Sequence, residues 1–331
     1  MAFEPIPLST LDDNFDLDDF ICTDSMMKLP PPDPLAFTGP FPLADLAPQS
    51  MTRQQIESVV AHAPKLYKTG GDFPNGGDIP AKAVVRVSNH VVVKYGTEVS
   101  FSEGRTMMTV QEQVQISMPE VYDCWKSQQR TDRQANESVY IVMQYVPGKI
   151  LAQTIEELDE DQKRDLTDQL LHLLDTLHTI RHTVPGPVGG GRAMAPRLFT
   201  SNGAGPFQSN ADLIDWFNGC LQQCQFFGRA IKQQRFDEDI KDLVMCHMDV
   251  HIHNLMVDDS AKLWLIDWDC AGFYPEFFEY ICIKGNVDFM PIGMESPAGA
   301  KFLRTVADTL ETSEARRMND KFSAISYALR R

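Results

Sequence analysis

The sequence lacks the features of membrane-spanning, disulfide-stabilised and zinc-binding proteins. No stretch approaches the ~18 apolar residues of a membrane helix, and Met1–Thr10 holds no basic segment followed by an apolar run. The seven cysteines show no Cys-x-x-Cys pair, which argues against a zinc site and against a disulfide scaffold. These absences favour a cytoplasmic protein that has reduced cysteines and no membrane partner.

Positive charge is also scarce. The 331 residues include 30 lysines and arginines against 46 aspartates and glutamates, a net charge of -16. This sign does not suit a protein that holds nucleic acid or an anionic membrane through a basic surface. A polyphosphate ligand would therefore need a local site in which metal ions help to neutralise it.

Much of the negative charge lies in residues 1–50, where nine acidic residues and one lysine give a net charge of -8. This stretch contains Pro30-Pro31-Pro32 and shows no sustained helical or alternating pattern. We therefore predict a disordered, acidic, proline-rich tail. The alternative is an arm that binds a protein partner, because four apolar side chains are interleaved with the acids: Phe15, Leu17, Phe20 and Ile21.

The apolar pattern after the tail predicts a small sheet with one helix packed on it. Helical spacing predicts a first helix between Thr52 and Leu66. Two β-branched runs, Val84–Val87 and Val91–Val93, are separated by three residues and predict a hairpin. A helix from Glu98 to Val114 and a buried strand, Val139–Met143, complete this part of the chain.

Beyond Pro147-Gly148 the pattern becomes mostly helical. Leucines recur at helical spacing between Thr154 and Ile180, and a second helical stretch runs from Ala211 to Ile231. Two short apolar runs, Leu255–Val257 and Leu263–Ile266, predict a second hairpin. The second half of the chain is therefore expected to be a helical lobe that carries a small hairpin.

The segment from His247 to Asn254, together with Asp267, contains the candidate catalytic and metal-binding residues. Its pattern, His-x-Asp-x-x-x-x-Asn, places Asp249 and Asn254 on one tight loop, and the second hairpin returns Asp267 to the same point. Phosphoryl transfer needs a carboxylate that orients the acceptor hydroxyl, and an amide oxygen and a second carboxylate that hold magnesium. These three side chains, in this order, therefore predict a nucleotide phosphate site.

The same segment allows a zinc interpretation, because His247, His251 and His253 lie close to Asp249 in the sequence. A short motif of this kind needs structural context before a metal is assigned to it. We prefer histidines that pack the loop, since the partner motif at Asp267 explains the segment without zinc.

The stretch from Cys246 to Tyr280, with Leu263–Trp268 inside it, resembles the aminoglycoside phosphotransferase family, particularly its divergent fungal members. The resemblance extends upstream through the linker Met143–Gly148 to Val91–Gly96, and it covers residues 52–325. It implies a two-lobed α+β fold of the protein-kinase type, with a small antiparallel-sheet N-lobe and a mostly helical C-lobe. It also implies ATP and Mg²⁺ as cofactors.

The implied organisation has three parts. They are the tail, residues 1–50, a nucleotide-binding N-lobe, residues 51–145, and a C-lobe, residues 146–331, which carries the catalytic loop and the acceptor site. Asp249 is implied as the catalytic base, with Asn254 and Asp267 as the magnesium ligands.

Further roles follow from the same resemblance. Lys94 is implied to contact the α- and β-phosphates and to be held by an ion pair to Glu103. The backbone of Gln144 and Val146 is implied to bind adenine, and His247 to brace the loop. The chain departs from protein kinases in the turn between its first predicted strands, which has no glycine-rich phosphate cover, so contacts from that turn are not predicted.

The leading prediction is an ATP- and magnesium-dependent phosphotransferase that acts on a hydroxyl group of a small molecule. A protein kinase is less favoured, because the short distance from Asp267 to Tyr274-Pro275 leaves no room for a peptide-docking activation segment. The alternative is a kinase-like pseudoenzyme or nucleotide-binding regulatory module that uses the acidic tail as its partner arm. Acidic residues of the helical lobe, Asp212, Asp215 and Glu276, would suit a cationic acceptor such as an amino sugar.

Overall fold

The computed structural model describes residues 39–69, 80–130, 135–195, 197–288 and 296–329. The predicted tail lies outside the described residues up to residue 38. The last part of that stretch contacts the N-lobe, because Leu43 is buried and its N–H donates to the carbonyl of Val87 at 2.9 Å. Within the described ranges, no helix combines the length and the apolar character that a membrane-spanning segment requires.

The N-lobe is built on an antiparallel sheet in the strand order β1-β2-β3-β5-β4. Its elements are helix α1 (Arg53–Val59), strands β1 (Lys65–Thr69), β2 (Lys82–Arg86) and β3 (Val91–Gly96), helix α2 (Phe101–Gln113), and strands β4 (Val121–Arg130) and β5 (Ala135–Gln144). Ile56 of α1 belongs to the same apolar cluster as Val85 on one face of the sheet. Met107 of α2 shares a second cluster with Ile141 on the other face.

Three features of the N-lobe differ from the prediction. The first helix ends at Val59 and Leu66 lies in β1, because Pro64 disfavours helix at the preceding residue and cannot continue one. Strand β4 was missed, since its mostly polar sequence is that of a sheet edge. The turn Ser88–His90 was predicted to join the first two strands, but the unpredicted strand β1 precedes them, so this turn joins β2 to β3. Residues 70–79, which join β1 to β2 and contain four glycines, lie outside the described residues.

The C-lobe is mostly helical. Its helices are α3 (Leu151–Thr154), α4 (Glu160–Leu177), α5 (Asn210–Phe226), α6 (Phe277–Asp288), α7 (Pro297–Leu310), α8 (Ser313–Ala324) and α9 (Ser326–Leu329). Its strands are β6 (Gly148–Ile150), β7 (Arg181–His182), β8 (Leu243–Cys246), β9 (Leu255–Asp258), β10 (Leu263–Leu265) and β11 (Gly272–Tyr274), in the orders β10-β9-β6 and β11-β8-β7. Phe217 centres an aromatic core, with ring centroids 4.9 Å from Phe322 and 5.8 Å from Phe278.

The predicted fold class is confirmed: an α+β chain with a small antiparallel-sheet N-lobe and a mostly helical C-lobe. The predicted second hairpin forms as β9 and β10, with Leu263 opposite Val257. The helix predicted from Thr154 to Ile180 forms as α4, which begins only at Glu160, and the short helix α3 precedes it and ends at Thr154. Asp159 caps α4 by accepting the N–H of Gln162 at 2.8 Å, and this cap starts a new helix.

A buried ion pair ties α8 to the segment before β8. Asp239 accepts hydrogen bonds from Lys321 and from Arg317, whose Nη1 lies 2.8 Å from Oδ1. The side chains of Asp239 and Lys321 are only 8% and 6% exposed. Burial by itself would raise the pKa of Asp239, but the hydrogen bonds from Lys321 and Arg317 outweigh it and hold the pKa below its usual value.

An Asp239→Asn variant is expected to lose about 2–4 kcal/mol of unfolding free energy at pH 7, because Lys321 stays buried without its carboxylate. A carboxyl whose pKa is lowered by folding stabilises the fold above its unfolded pKa, roughly 3.9, and loses this effect as the pH falls through the folded pKa. The deficit should therefore shrink below about pH 4. Urea unfolding at several pH values measures it, with the exposed Asp242→Asn as control, and a deficit independent of pH would contradict the ion-pair origin.

Candidate active site

The loop from His247 to Asn254 connects β8 to β9 and is held by one buried carboxylate. Glu279 of α6 accepts the N–H of His247 at 2.6 Å through Oε2 and the N–H of Met248 at 3.0 Å through Oε1. Met248 has φ +69°, a left-handed conformation that is uncommon for a residue with a side chain. Glu279 therefore fixes the entry of the loop in a conformation that the local sequence disfavours.

His247 is fully buried and links the loop to the segment around Asp267. The N–H of Asp249 donates to Nδ1 at 3.3 Å, so Nε2 carries the proton and donates to the carbonyl of Ile266 at 3.2 Å. Burial lowers the pKa of His247, which favours the neutral ring that this tautomer requires. The ring also packs edge-on against Trp268 at 4.9 Å.

Asp249 and Asn254 contact each other directly. Nδ2 of Asn254 donates to the carbonyl oxygen of Asp249 at 2.9 Å and to its Oδ2 at 2.8 Å. Burial raises the pKa of Asp249 above its usual value, against the opposing effect of His247. A carboxylate with a raised pKa is the stronger proton acceptor, and the amide donor fixes its orientation.

Lys94 joins the two lobes through carboxylates on both sides. Its Nζ lies 2.6 Å from Oε1 of Glu103 on α2 and 2.7 Å from Oδ1 of Asp267, which follows β10. The side chains of Lys94 and Glu103 are 5% and 2% exposed. Asp267 has φ +61°, so its carboxylate is presented from a second left-handed position.

The charges of Lys94 and Asp267 support each other. Burial would lower the pKa of Lys94, but the carboxylates of Asp267 and Glu103 outweigh it and raise this pKa well above its usual value. Burial would raise the pKa of Asp267, but Lys94 first and then Lys82 outweigh it and hold this pKa well below its usual value. At neutral pH the site therefore contains a charged ammonium group and an ionised carboxylate.

The oxygen donors of this site fit magnesium. Asn254 uses its Nδ2 on Asp249, which leaves the amide oxygen Oδ1 for a metal. Asp267 uses Oδ1 on Lys94, which leaves Oδ2. Amide and carboxylate oxygens are the hard ligands that magnesium takes beside nucleotide phosphates. Asn254 and Asp267 could therefore provide ligands for such an ion.

The linker places Gln144 and Val146 at the boundary between the lobes. The N–H of Gln144 donates to the carbonyl of Glu120 at 2.7 Å, so only its carbonyl remains for an adenine edge. The N–H of Tyr145 donates to the carbonyl of His90 at 2.8 Å. Among the described residues, no hydrogen-bond acceptor contacts the N–H of Val146.

The sequence prediction missed two features of the site. Glu279 is the lone carboxylate in the apolar run Phe277–Ile283, and a charge in such a run signals a buried, paired group. Asp269 repeats the carboxylate of Asp267 two residues later and pairs with Lys82 at 2.8 Å. The sequence around Lys82 does not indicate a role in the site, since lysines at strand ends are mostly exposed.

In the described part of the chain, no hydrogen bond or ion pair joins the candidate acceptor residues of the C-lobe to Asp249. Asp212 accepts the N–H of Gln208 at 2.7 Å near the start of α5. Glu276 is 68% exposed, with Oε1 3.8 Å from Nδ1 of His178. The role of these acidic residues in binding the acceptor therefore stays a prediction that rests on their charge alone.

The histidines of the loop do not gather metal ligands. His251 and His253 stack at 5.0 Å, and neither belongs to a trio of metal-ligating side chains within the described ranges. A different trio, His178, Cys246 and Glu279, has ligand atoms within 4.8 Å of one another. Burial raises the pKa of Cys246 well above its usual value, so its thiol keeps its proton, and Glu279 is already bonded to the loop. A protonated thiol and a carboxylate that is already in use make this trio a poor metal site.

Solved structures that are similar to this chain at low sequence identity include two aminoglycoside phosphotransferases and a choline kinase. Aminoglycoside 3'-phosphotransferase of type VIII is 14% identical, with coverage of 82% of this chain and 97% of its own, and a TM-score of 0.47. Wild-type aminoglycoside 2'-phosphotransferase-IIIa, solved as its GDP complex, is 13% identical, with 84% and 89% covered and a TM-score of 0.47. Choline kinase LicA from Streptococcus pneumoniae is 12% identical, with 84% and 86% covered and a TM-score of 0.43. No curated protein matches the chain.

The sequence also matches a family model, APH, which is described as a phosphotransferase enzyme family. The match runs over residues 80–310, more than half of the chain, and includes every candidate site residue from Lys94 to Asp267. The resemblance to aminoglycoside phosphotransferases is therefore confirmed. The chain belongs to the APH family of phosphotransferases.

Proposed function

We propose that the protein transfers the γ-phosphoryl group of ATP to a hydroxyl group of a small molecule in a magnesium-dependent reaction. The observation that carries the proposal is that the segments of Asp249, Asn254 and Asp267 adjoin. Nδ2 of Asn254 lies 2.8 Å from Oδ2 of Asp249, and the N–H of Ile266, next to Asp267, donates to the carbonyl of Asn254 at 2.9 Å. Lys94 is held against Asp267 at 2.7 Å. These are the base, the metal ligands and the phosphate-binding cation that phosphoryl transfer requires.

Each side chain has one task in this reaction. Asp249 orients the acceptor hydroxyl and takes its proton. Asn254 and Asp267 present Oδ1 and Oδ2 to the metal, and Lys94 binds the α- and β-phosphates while Glu103 keeps it in place. Magnesium, when bound, neutralises the charge of the phosphates.

A small acceptor is supported by the short connection after Asp267. Strand β11 begins at Gly272 and α6 begins at Phe277, so no long segment is present there to dock a peptide. Asp212, Asp215 and Glu276 would favour a cationic acceptor. The first acceptor panel therefore pairs amino sugars and amino alcohols with their neutral analogues, and release of ADP is measured.

An Asp267→Asn variant is expected to lose the magnesium-dependent part of its stabilisation by ATP. A ligand at about 100 times its Kd stabilises the folded state by ~2.7 kcal/mol, which raises Tm by roughly 4 °C in a protein of this size, because the entropy of unfolding grows with chain length. Asparagine tolerates the left-handed backbone at this position but removes the ionised oxygen that the metal needs. Thermal unfolding is measured with ATP plus Mg²⁺ and with ATP plus EDTA.

Each protein is compared with its own nucleotide-free Tm, because loss of the Lys94 partner also changes the stability of the free variant. Asp308→Asn, an exposed position on α7, is the matched control and should shift like wild type. A wild-type protein that shows no shift at millimolar ATP would reject the proposal. The absence of a shift would instead favour a regulatory module in which the nucleotide site is not used.

A further inference from the structure

A second lysine reaches the same segment as Lys94. Lys82, the first residue of β2, places Nζ 2.8 Å from Oδ2 of Asp269. The two side chains are 20% and 29% exposed, so the pair is largely shielded from solvent. The partners are 187 positions apart in the sequence. The contact therefore joins the N-lobe sheet to the segment that carries Asp267.

The strand register places both lysines on one face of the sheet. Val84 is directly opposite Lys94 in the antiparallel ladder of β2 and β3, and opposed residues share a face. Lys82 is two residues from Val84 and so lies on that face too. Ala83, between them, is fully buried on the other side. The face that presents Lys94 to the nucleotide site therefore also presents Lys82.

Each lysine neutralises one carboxylate of the Asp-x-Asp segment. Lys94 bonds Asp267 at 2.7 Å, and Lys82 bonds Asp269 at 2.8 Å. A nucleotide polyphosphate that enters this site brings several negative oxygens close to both ammonium groups. Lysine suits an exchange of anionic partners, because its charge is compact and its four-carbon stem is flexible.

We propose that Lys82 is a phosphate-binding residue of the nucleotide site. Its ammonium group pairs with Asp269 in the free protein and turns to a phosphate oxygen when nucleotide binds. The inference rests on the proposed function, since it needs a nucleotide in this cleft. A lysine that only tied the lobes together would not distinguish a nucleotide from its nucleoside.

Calorimetric titration of Lys82→Met with magnesium ATP and with adenosine tests this role. Loss of a charge-assisted hydrogen bond to phosphate should raise the Kd for ATP about ten-fold or more, whereas the Kd for adenosine should stay within about two-fold. Lys82→Arg keeps the charge and should recover part of the ATP affinity. Lys126→Met is the matched control, because Lys126 makes a similar 2.7 Å strand ion pair with Glu137 at an exposed position.

Two results would overturn the role of Lys82: an unchanged ATP affinity in Lys82→Met, or equal changes for ATP and adenosine. Circular dichroism checks that the variant is folded, and Lys82→Gln replaces it if it is not. Wild type serves to separate the two hypotheses. If wild type does not bind ATP, the proposed function fails and this inference falls with it. If wild type binds ATP and Lys82→Met binds it equally well, only the role of Lys82 is rejected.

Discussion

An Asp249→Asn variant is expected to bind magnesium ATP as wild type does and to transfer phosphate about 10²–10⁴ times more slowly, the usual contribution of a positioned general base. The change is isosteric and removes the carboxylate that takes the proton of the acceptor. Asn254 donates to Oδ2 of Asp249 at 2.8 Å, and an amide oxygen in the variant can accept the same bond. The loop should therefore keep its shape.

The measurement has two parts. Release of ADP in the presence of an accepted hydroxyl compound gives the rate, and the thermal shift with magnesium ATP gives binding. Asp259→Asn, an exposed position in the turn between β9 and β10, is the matched control and should keep both. Transfer at the wild-type rate by Asp249→Asn would show that another group takes the proton.

A Glu279→Ala variant is expected to lose about 3–5 kcal/mol of unfolding free energy, because two buried backbone N–H groups are left without acceptors. These are the N–H groups of His247 and Met248, which Glu279 binds at 2.6 and 3.0 Å. Met248 would also be released from its left-handed conformation, φ +69°. Phosphoryl transfer should fall as well, since the position of Asp249 depends on this loop.

Urea unfolding followed by circular dichroism measures the loss. Glu276→Ala is the matched control, because Glu276 lies just before α6 and is 68% exposed; we expect a change within about 0.5 kcal/mol. Glu279→Gln should be intermediate, since its amide oxygen accepts one N–H while its amide nitrogen faces the other. A Glu279→Ala deficit below about 1 kcal/mol would contradict the view that this carboxylate holds the loop.

The fold class and most elements could be predicted from the sequence because they depend on local periodicity. The strands around Val84–Val87 and Val91–Val93 and the helix near Met107 were identified from β-branched runs and helical spacing. Strand β4 was missed, because an edge strand needs little apolar character, and the first helix was extended past Pro64. Element ends are set by caps and prolines, which apolar spacing does not register.

The candidate site, too, has features that the sequence predicts and features that depend on the tertiary structure. By itself the sequence determined that Asp249, Asn254 and Asp267 come together, because one short loop and one hairpin carry all three, so their meeting is a local property of the chain. Only the tertiary structure decided which groups hold and neutralise them. The contact of Lys82 with Asp269 spans 187 positions and that of Lys94 with Asp267 spans 173. Such pairings depend on how the two lobes and α6 pack, since burial and distance, which no local pattern encodes, decide which charges pair.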